Sequence, residues 1–216
     1  MSDQVPDAVP GRIRVLVADD HPVVRTGLAA VIAHEADLEL VAEAENGARA
    51  VALFRDHQPD VVLMDLRMPA MDGVEAIRTI TAQYPAARIL ALTTYEGDGD
   101  IRRALEAGAC GYLLKDMLLT EVITAVRAVH RGERVIPTAV AVRLAAHPPG
   151  GDLTERELEV LALVARGLAN KGVAGAIGRT DETVKVHLKN IFTKLHVTDR
   201  TEAVTVALAR GLIHLD

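Results

Sequence analysis

One cysteine, Cys110, stands in 216 residues, so the chain can close no intrachain disulfide and build no cysteine-only zinc site. No apolar run approaches the roughly 18 residues that a membrane span requires. No basic-then-apolar signal segment follows Met1, so a soluble, cytoplasmic protein with no membrane partner is expected. The eight histidines include no H-x-x-x-H pair, which argues against a histidine metal cluster. Basic charge is not in excess either: 24 Lys+Arg face 30 Asp+Glu, a formal net charge of −6. Spread evenly, that balance would speak against nucleic acid as a partner. It is not spread evenly. Residues 1–132 hold 13 basic and 20 acidic side chains, residues 133–151 hold 2 and 1, and residues 152–216 hold 9 and 9. The acidity belongs to the first part of the chain. The C-terminal cations can serve nucleic-acid binding only if one face gathers them.

The length suits one large domain or two small ones, and half the residues are hydrophobic, enough for a buried core. Residues 1–11 show no periodicity and read as a flexible tail. Short apolar runs then alternate with helical patterns: strands at Ile13–Ala18, Leu38–Glu43, Val61–Met64, Arg88–Thr93 and Gly111–Leu114, with helices between and after them. Such alternation predicts an α/β fold, a doubly wound five-stranded parallel sheet covered on both faces, over residues 12–132. Residues 133–151 break the pattern with Pro137, Pro148, Pro149, Gly150 and Gly151, and read as a linker with a short helix near 138–146.

Residues 152–216 are helical only. Thr154 and Glu157 form a capping box, Gly167 closes that helix, and a second runs from about Asn170 to Ile177. Thr180 caps a third, to about Leu195, and Thr198-Asp199 caps a fourth. Two helices joined by the tight Gly178-Arg179 turn have helix-turn-helix geometry, so a small all-α helix-turn-helix domain is expected. On the third helix Val184, Leu188, Ile191 and Leu195 form a buried stripe. Lys185, Val186 and Lys189 lie on another face. That face suits plain solvation by its lysine spacing, yet the valine between them suits a major groove.

Ligands of doubly wound sheets bind beyond the carboxyl ends of the strands. Asp19 and Asp20 follow the first strand, Asp65 the third, Thr93 ends the fourth and Lys115 follows the fifth. In a 2-1-3-4-5 sheet the three carboxylates converge, and their mutual repulsion calls for a hard divalent cation such as Mg²⁺. A carboxylate beside Mg²⁺ can accept a phosphoryl group, which Thr93 and Lys115 would then meet. A phosphohydrolase would place an aspartate two residues beyond its nucleophile, and Arg67 occupies that position.

The segments V-A-D-D-H-P (17–22), V-V-L-M-D-L-R-M-P-x-M-D-G (61–73), L-T-T (92–94) and G-A-C-G-Y-L-L-K-D (108–116) resemble the receiver domain of two-component response regulators, a flavodoxin-like fold. The segments 153–171 and 183–195 are similar to the LuxR-type helix-turn-helix of NarL/FixJ regulators. The resemblance implies that Asp65 is the phosphoacceptor and that Asp19, Asp20, Asp65 and the main-chain carbonyl of Arg67 hold Mg²⁺. Thr93 and Lys115 would contact the phosphoryl group, and Tyr112 would be a switch aromatic, although it equally suits an ordinary core position. Lys185, Val186 and Lys189 would face the bases, with Thr183, Asn190 and Lys194 nearby. A sensor histidine kinase or a small phosphodonor, double-stranded DNA with paired half-sites and a second copy of the chain are the implied partners. A receiver that works without phosphorylation is the competing reading. Gly172 and Gly175 stand where Glu and Ala are usual in the scaffold helix, and each glycine in a helix interior costs about 0.5–1 kcal/mol.

Overall fold

A computed structural model of the chain describes residues 11–93, 97–117, 119–138, 140–142 and 153–214. The expected tail falls outside them apart from Gly11, as does the linker beyond residue 142. The described residues divide into two compact units, one within Met1–Thr94 and Ala104–Ile136, the other within Tyr95–Arg103 and Pro137–Asp216.

The first unit is built from β1 (Ile13–Ala18), α1 (Pro22–His34), β2 (Leu38–Ala44), α2 (Gly47–His57), β3 (Val61–Asp65), α3 (Gly73–Gln83), β4 (Ile89–Thr93), β5 (Gly111–Leu114) and α5 (Leu119–His130). The helix α4 (Asp98–Glu106) lies between β4 and β5 in sequence, and the unit boundary passes through it. All strand pairs are parallel, in the order β2-β1-β3-β4-β5. Strands buried on both faces need apolar side chains at both parities, and every residue of β3 and β4 is buried. One parity (Val15, Val17, Leu63, Leu90, Leu92, Leu113) packs with Leu28 and Ile32 of α1 and Val122, Val126 and Val129 of α5. Tyr112 has the other parity, paired in register with Ala91, and is fully buried.

Two departures from the sequence reading bear on function. First, β3 runs on through Asp65, which pairs in register with Leu92, so Asp65 is a strand residue instead of the first residue after it. Second, the first unit continues to Ile136. Val135 makes an isolated parallel bridge with Gly111 at the open edge of β5. The Tyr112 N–H donates to the Val135 carbonyl at 2.9 Å, and the Val135 N–H donates to the Cys110 carbonyl at 3.3 Å. A Cβ on Gly111 would meet the Val135 oxygen at 2.6 Å, so this approach requires glycine.

The second unit contains α6 (Glu155–Ala165), α7 (Asn170–Ala176), α8 (Asp181–Leu195) and α9 (Arg200–Ala209). Their core holds Val160, Leu161, Val164, Val173, Ala203 and Ala207 with the expected stripe Val184, Leu188, Ile191 and Leu195. The Thr154–Glu157 capping box is formed, Thr180 caps α8 and Asp199 caps α9. The Arg200 guanidinium donates to the Leu168 and Val164 carbonyls and ties α9 to the end of α6. Among the described residues no helix is long and apolar enough to cross a membrane.

Candidate functional site

The parallel order brings the ends of β1, β3, β4 and β5 together, and four polar side chains meet there. Asp19 is fully buried, Asp65 is 2% exposed, and Thr93 is 1% exposed. The Lys115 ammonium lies 2.6 Å from Asp19 Oδ2 and 2.8 Å from Asp65 Oδ2. Its own backbone N–H donates to the Thr93 carbonyl at 2.7 Å, which seats the lysine beside β4. The Arg67 N–H donates to Asp65 Oδ1 at 3.2 Å, and the Arg25 guanidinium donates to the Asp19 carbonyl at 2.6 Å.

The loop from β3 to α3 is shaped to bring its backbone against this cluster. Gly73 donates its N–H to the Leu66 carbonyl at 3.0 Å, and a Cβ there would meet the Asp65 carbonyl oxygen at 2.0 Å. Only glycine permits that approach. Ala70 holds φ at 68°, a left-handed conformation that alanine adopts at a cost. Neither requirement is legible from residue type: the glycine reads as a helix start, and an alanine gives no signal of its backbone.

The electrostatics follow from burial. Desolvation is the largest influence on Asp65 and raises its pKa above the ordinary carboxylate value. Lys115 opposes that shift, and the nearby Asp19 charge adds to it. Burial by itself would lower Lys115, yet its hydrogen bonds to Asp19 and Asp65 outweigh this and hold the ammonium above its ordinary value. Asp19 and Asp65 share one ammonium and Asp20 lies beside them, so the cluster retains negative charge that a divalent cation would neutralise. Ligand atoms of Asp19, Asp20, Asp65 and also His21 lie within 4.8 Å of one another. The donor set therefore fits a divalent ion. The role of His21 is not legible from histidine spacing, because a histidine that joins carboxylates needs no second histidine.

The second candidate surface is α8. Lys185, Val186, Lys189 and Asn190 are exposed, Val186 at 58%. The Lys185 ammonium is 2.7 Å from Glu182 and 3.2 Å from Asp181. The Thr183 hydroxyl is 2.9 Å from that of Thr180, at the cap of the same helix. Lys194 differs from the other candidates. Its ammonium donates to Glu157 Oε2 at 2.8 Å, and Glu157 is 4% exposed, so this lysine ties α8 to the start of α6.

Comparison with known proteins agrees with both halves. Residues 15–127 match the family model of the response regulator receiver domain, and residues 152–207 match that of the bacterial regulatory proteins of the luxR family. The response regulator protein VraR of Staphylococcus aureus is 40% identical over 206 residues, spanning 93% of this chain and 99% of its own. The crystal structure of the response regulator ChrA, from a heme-sensing two-component system, is 40% identical over 94% of this chain and 100% of its own, with a TM-score of 0.56. The structure of the response regulator RcsB in complex with DNA is 25% identical over 92% of this chain and 99% of its own, with a TM-score of 0.66. The chain thus belongs to the two-component response regulators that regulate transcription by joining a receiver domain to a LuxR-family DNA-binding domain.

Proposed function

We propose that Asp65 is the phosphoacceptor of this regulator and that its modification controls DNA binding by α8. The observation that carries this reading is Lys115, whose ammonium bridges Asp19 and Asp65 beside Thr93 at four adjoining strand ends. A carboxylate oxygen of Asp65 attacks the phosphorus of the donor, a sensor kinase phosphohistidine or a small acyl phosphate. The bond from phosphorus to the donor breaks, the donor leaves with its electron pair, and Asp65 becomes an acyl phosphate. Asp19, Asp20, Asp65 and the Arg67 carbonyl would hold Mg²⁺, which when bound neutralises charge on the transferred group. Lys115 keeps its contact with Asp19 and exchanges the Asp65 carboxylate for a phosphoryl oxygen. Thr93 turns its hydroxyl toward the same group.

The new group adds about 1.5–2 negative charges and three acceptors to a buried point. Movement of Thr93 would then vacate space beside β5, and Tyr112, buried on the neighbouring strand, would be the side chain to respond. The domain division proposed is a tail to residue 11, a receiver over 12–132 whose sheet edge is covered by residues 133–136, a linker over the rest of 133–151 and a DNA-binding domain over 152–216. Two chains would pair on activation and place two copies of α8 on half-sites about one helical turn apart. Lys185, Val186 and Lys189 would face the bases, with Thr183 and Asn190 at the edge of the contact. Lys194 serves better as the tie to Glu157 than as a DNA contact. The protein acts in the cytoplasm as a phosphoacceptor able to lose its own phosphoryl group, and not as a turnover enzyme.

The test is sedimentation and DNA binding with beryllofluoride and Mg²⁺, on the natural chain and on Asp65→Asn. The natural chain should shift to a dimer and bind DNA more tightly, and the variant should do neither. An Asp65→Asn chain that dimerises and binds like the natural one would overturn the mechanism.

A further inference from the structure

His21 occupies the N-cap of α1, yet its side chain makes no capping hydrogen bond. The ring turns the other way. Its Nδ1 lies 2.6 Å from Asp20 Oδ1 and 3.3 Å from Asp19 Oδ1, and its backbone N–H donates to Asp19 Oδ1 at 2.9 Å. That last bond and Pro22 at the first position of the helix fix the backbone from which the ring projects. The His21 side chain is 64% exposed, so the ring forms an outer wall of a cluster whose floor, Asp19 and Asp65, is buried.

Distances among these donors match those among ligands of one ion. An octahedral ion with bonds of about 2.1 Å holds adjacent ligand atoms about 3 Å apart. The separations of 2.6 and 3.3 Å from Nδ1 to the two carboxylates bracket that edge length. A hydrogen bond from His21 to Asp20 alone would account for the shorter one. The same Nδ1 also reaches Asp19, so one ring nitrogen faces both aspartates and leaves the helix cap unmade. Carboxylate, carbonyl and water oxygens suit Mg²⁺ and Mn²⁺ alike, whereas an imidazole nitrogen adds affinity for transition ions, least for Mn²⁺ and more for those after it in the first-row order.

We infer that His21 is a further ligand of the divalent site, and that its imidazole tilts the site from Mg²⁺ toward Mn²⁺ and similar ions. The inference rests on the divalent site proposed above and concerns which ion that site prefers. The ring supplies Nδ1 and the carboxylates supply oxygen, a mixed set that an ion accepting only oxygen uses incompletely.

Mn²⁺ itself is the probe, added to the full-length chain at pH 8, where an imidazole is neutral. Binding is followed by loss of the free-ion electron paramagnetic resonance signal, and Mg²⁺ is measured by competition. Pulsed resonance of the bound ion should show coupling to a ¹⁴N nucleus, and His21→Ala should abolish it. The same substitution should weaken Mn²⁺ about tenfold and change Mg²⁺ by no more than about twofold. Bound Mn²⁺ without nitrogen coupling in the natural chain would overturn the assignment of His21 and leave the carboxylate site standing. Equal weakening of both ions by His21→Ala would do the same. Mn²⁺ that fails to bind, or that binds unchanged in Asp20→Asn and Asp65→Asn, would remove the divalent site and His21 with it.

Discussion

Asp65 is a carboxylate held where ionisation is unfavourable. Because its pKa in the folded chain stands above the ordinary value of 3.8, its ionised form opposes folding. The sign is definite: folding is favoured below the unfolded value, and that advantage is lost as pH rises through the folded one. Asp65→Asn should therefore raise the melting temperature near neutral pH by a few degrees, because the neutral amide escapes the desolvation penalty and Lys115 keeps Asp19. The gain should shrink as pH falls through the raised folded value toward 3.8 and level off below it, which thermal melts at several pH values would check. Asp19, Asp65, Thr93 and Lys115 were legible in the sequence because strand periodicity fixes which residues stand at strand ends. His21 and Gly73 were not. The direction of the His21 ring depends on a cap that it declines to make, and the need for Gly73 depends on a backbone 2.0 Å from an absent Cβ.

At the scale of elements, α8 carries a competitor for the DNA contact proposed for Lys185. Lys185 donates to Glu182 and lies near Asp181, and these contacts hold its ammonium above the ordinary pKa. In the proposed contact a phosphate or a base acceptor would displace them. Glu182→Gln removes the nearer of the two, and Glu182 is exposed enough to be changed without loss of core. DNA binding at low salt should tighten roughly two- to fivefold, with the difference fading as salt rises. A fluorescence anisotropy titration at two salt concentrations would measure this. The stripe from Val184 to Leu195 was legible from its period alone. The turn of Lys194 toward Glu157 was not, since 37 residues separate the pair and Glu157 already had a local use in the capping box.

At the scale of the whole molecule, the net charge of −6 joins an acidic receiver to a C-terminal part of balanced charge. With no overall excess of cations in that part, DNA binding must rest on where a few cations are placed, which is why pairing of two chains is proposed. The alternation of strands and helices and the four C-terminal helices were written in apolar periodicity, whereas the sheet order followed from the doubly wound fold type. The end of the first unit was hidden, because Arg134 to Ile136 contain no strand pattern long enough to read.

The Val135 bridge has a practical consequence for anyone who cuts the chain. β5 is the last strand of the sheet, and an uncovered edge strand invites another sheet to add to it. A receiver that stops at Gly132 would lose the partners of the Tyr112 N–H and the Cys110 carbonyl. It should polymerise slowly, with or without beryllofluoride, whereas one that stops at Ile136 should remain monomeric until activated. Light scattering over hours would separate the two. Four residues that look like the start of a tether are thus a stopper against filament growth, and omitting them would counterfeit the self-association that phosphorylation is proposed to control.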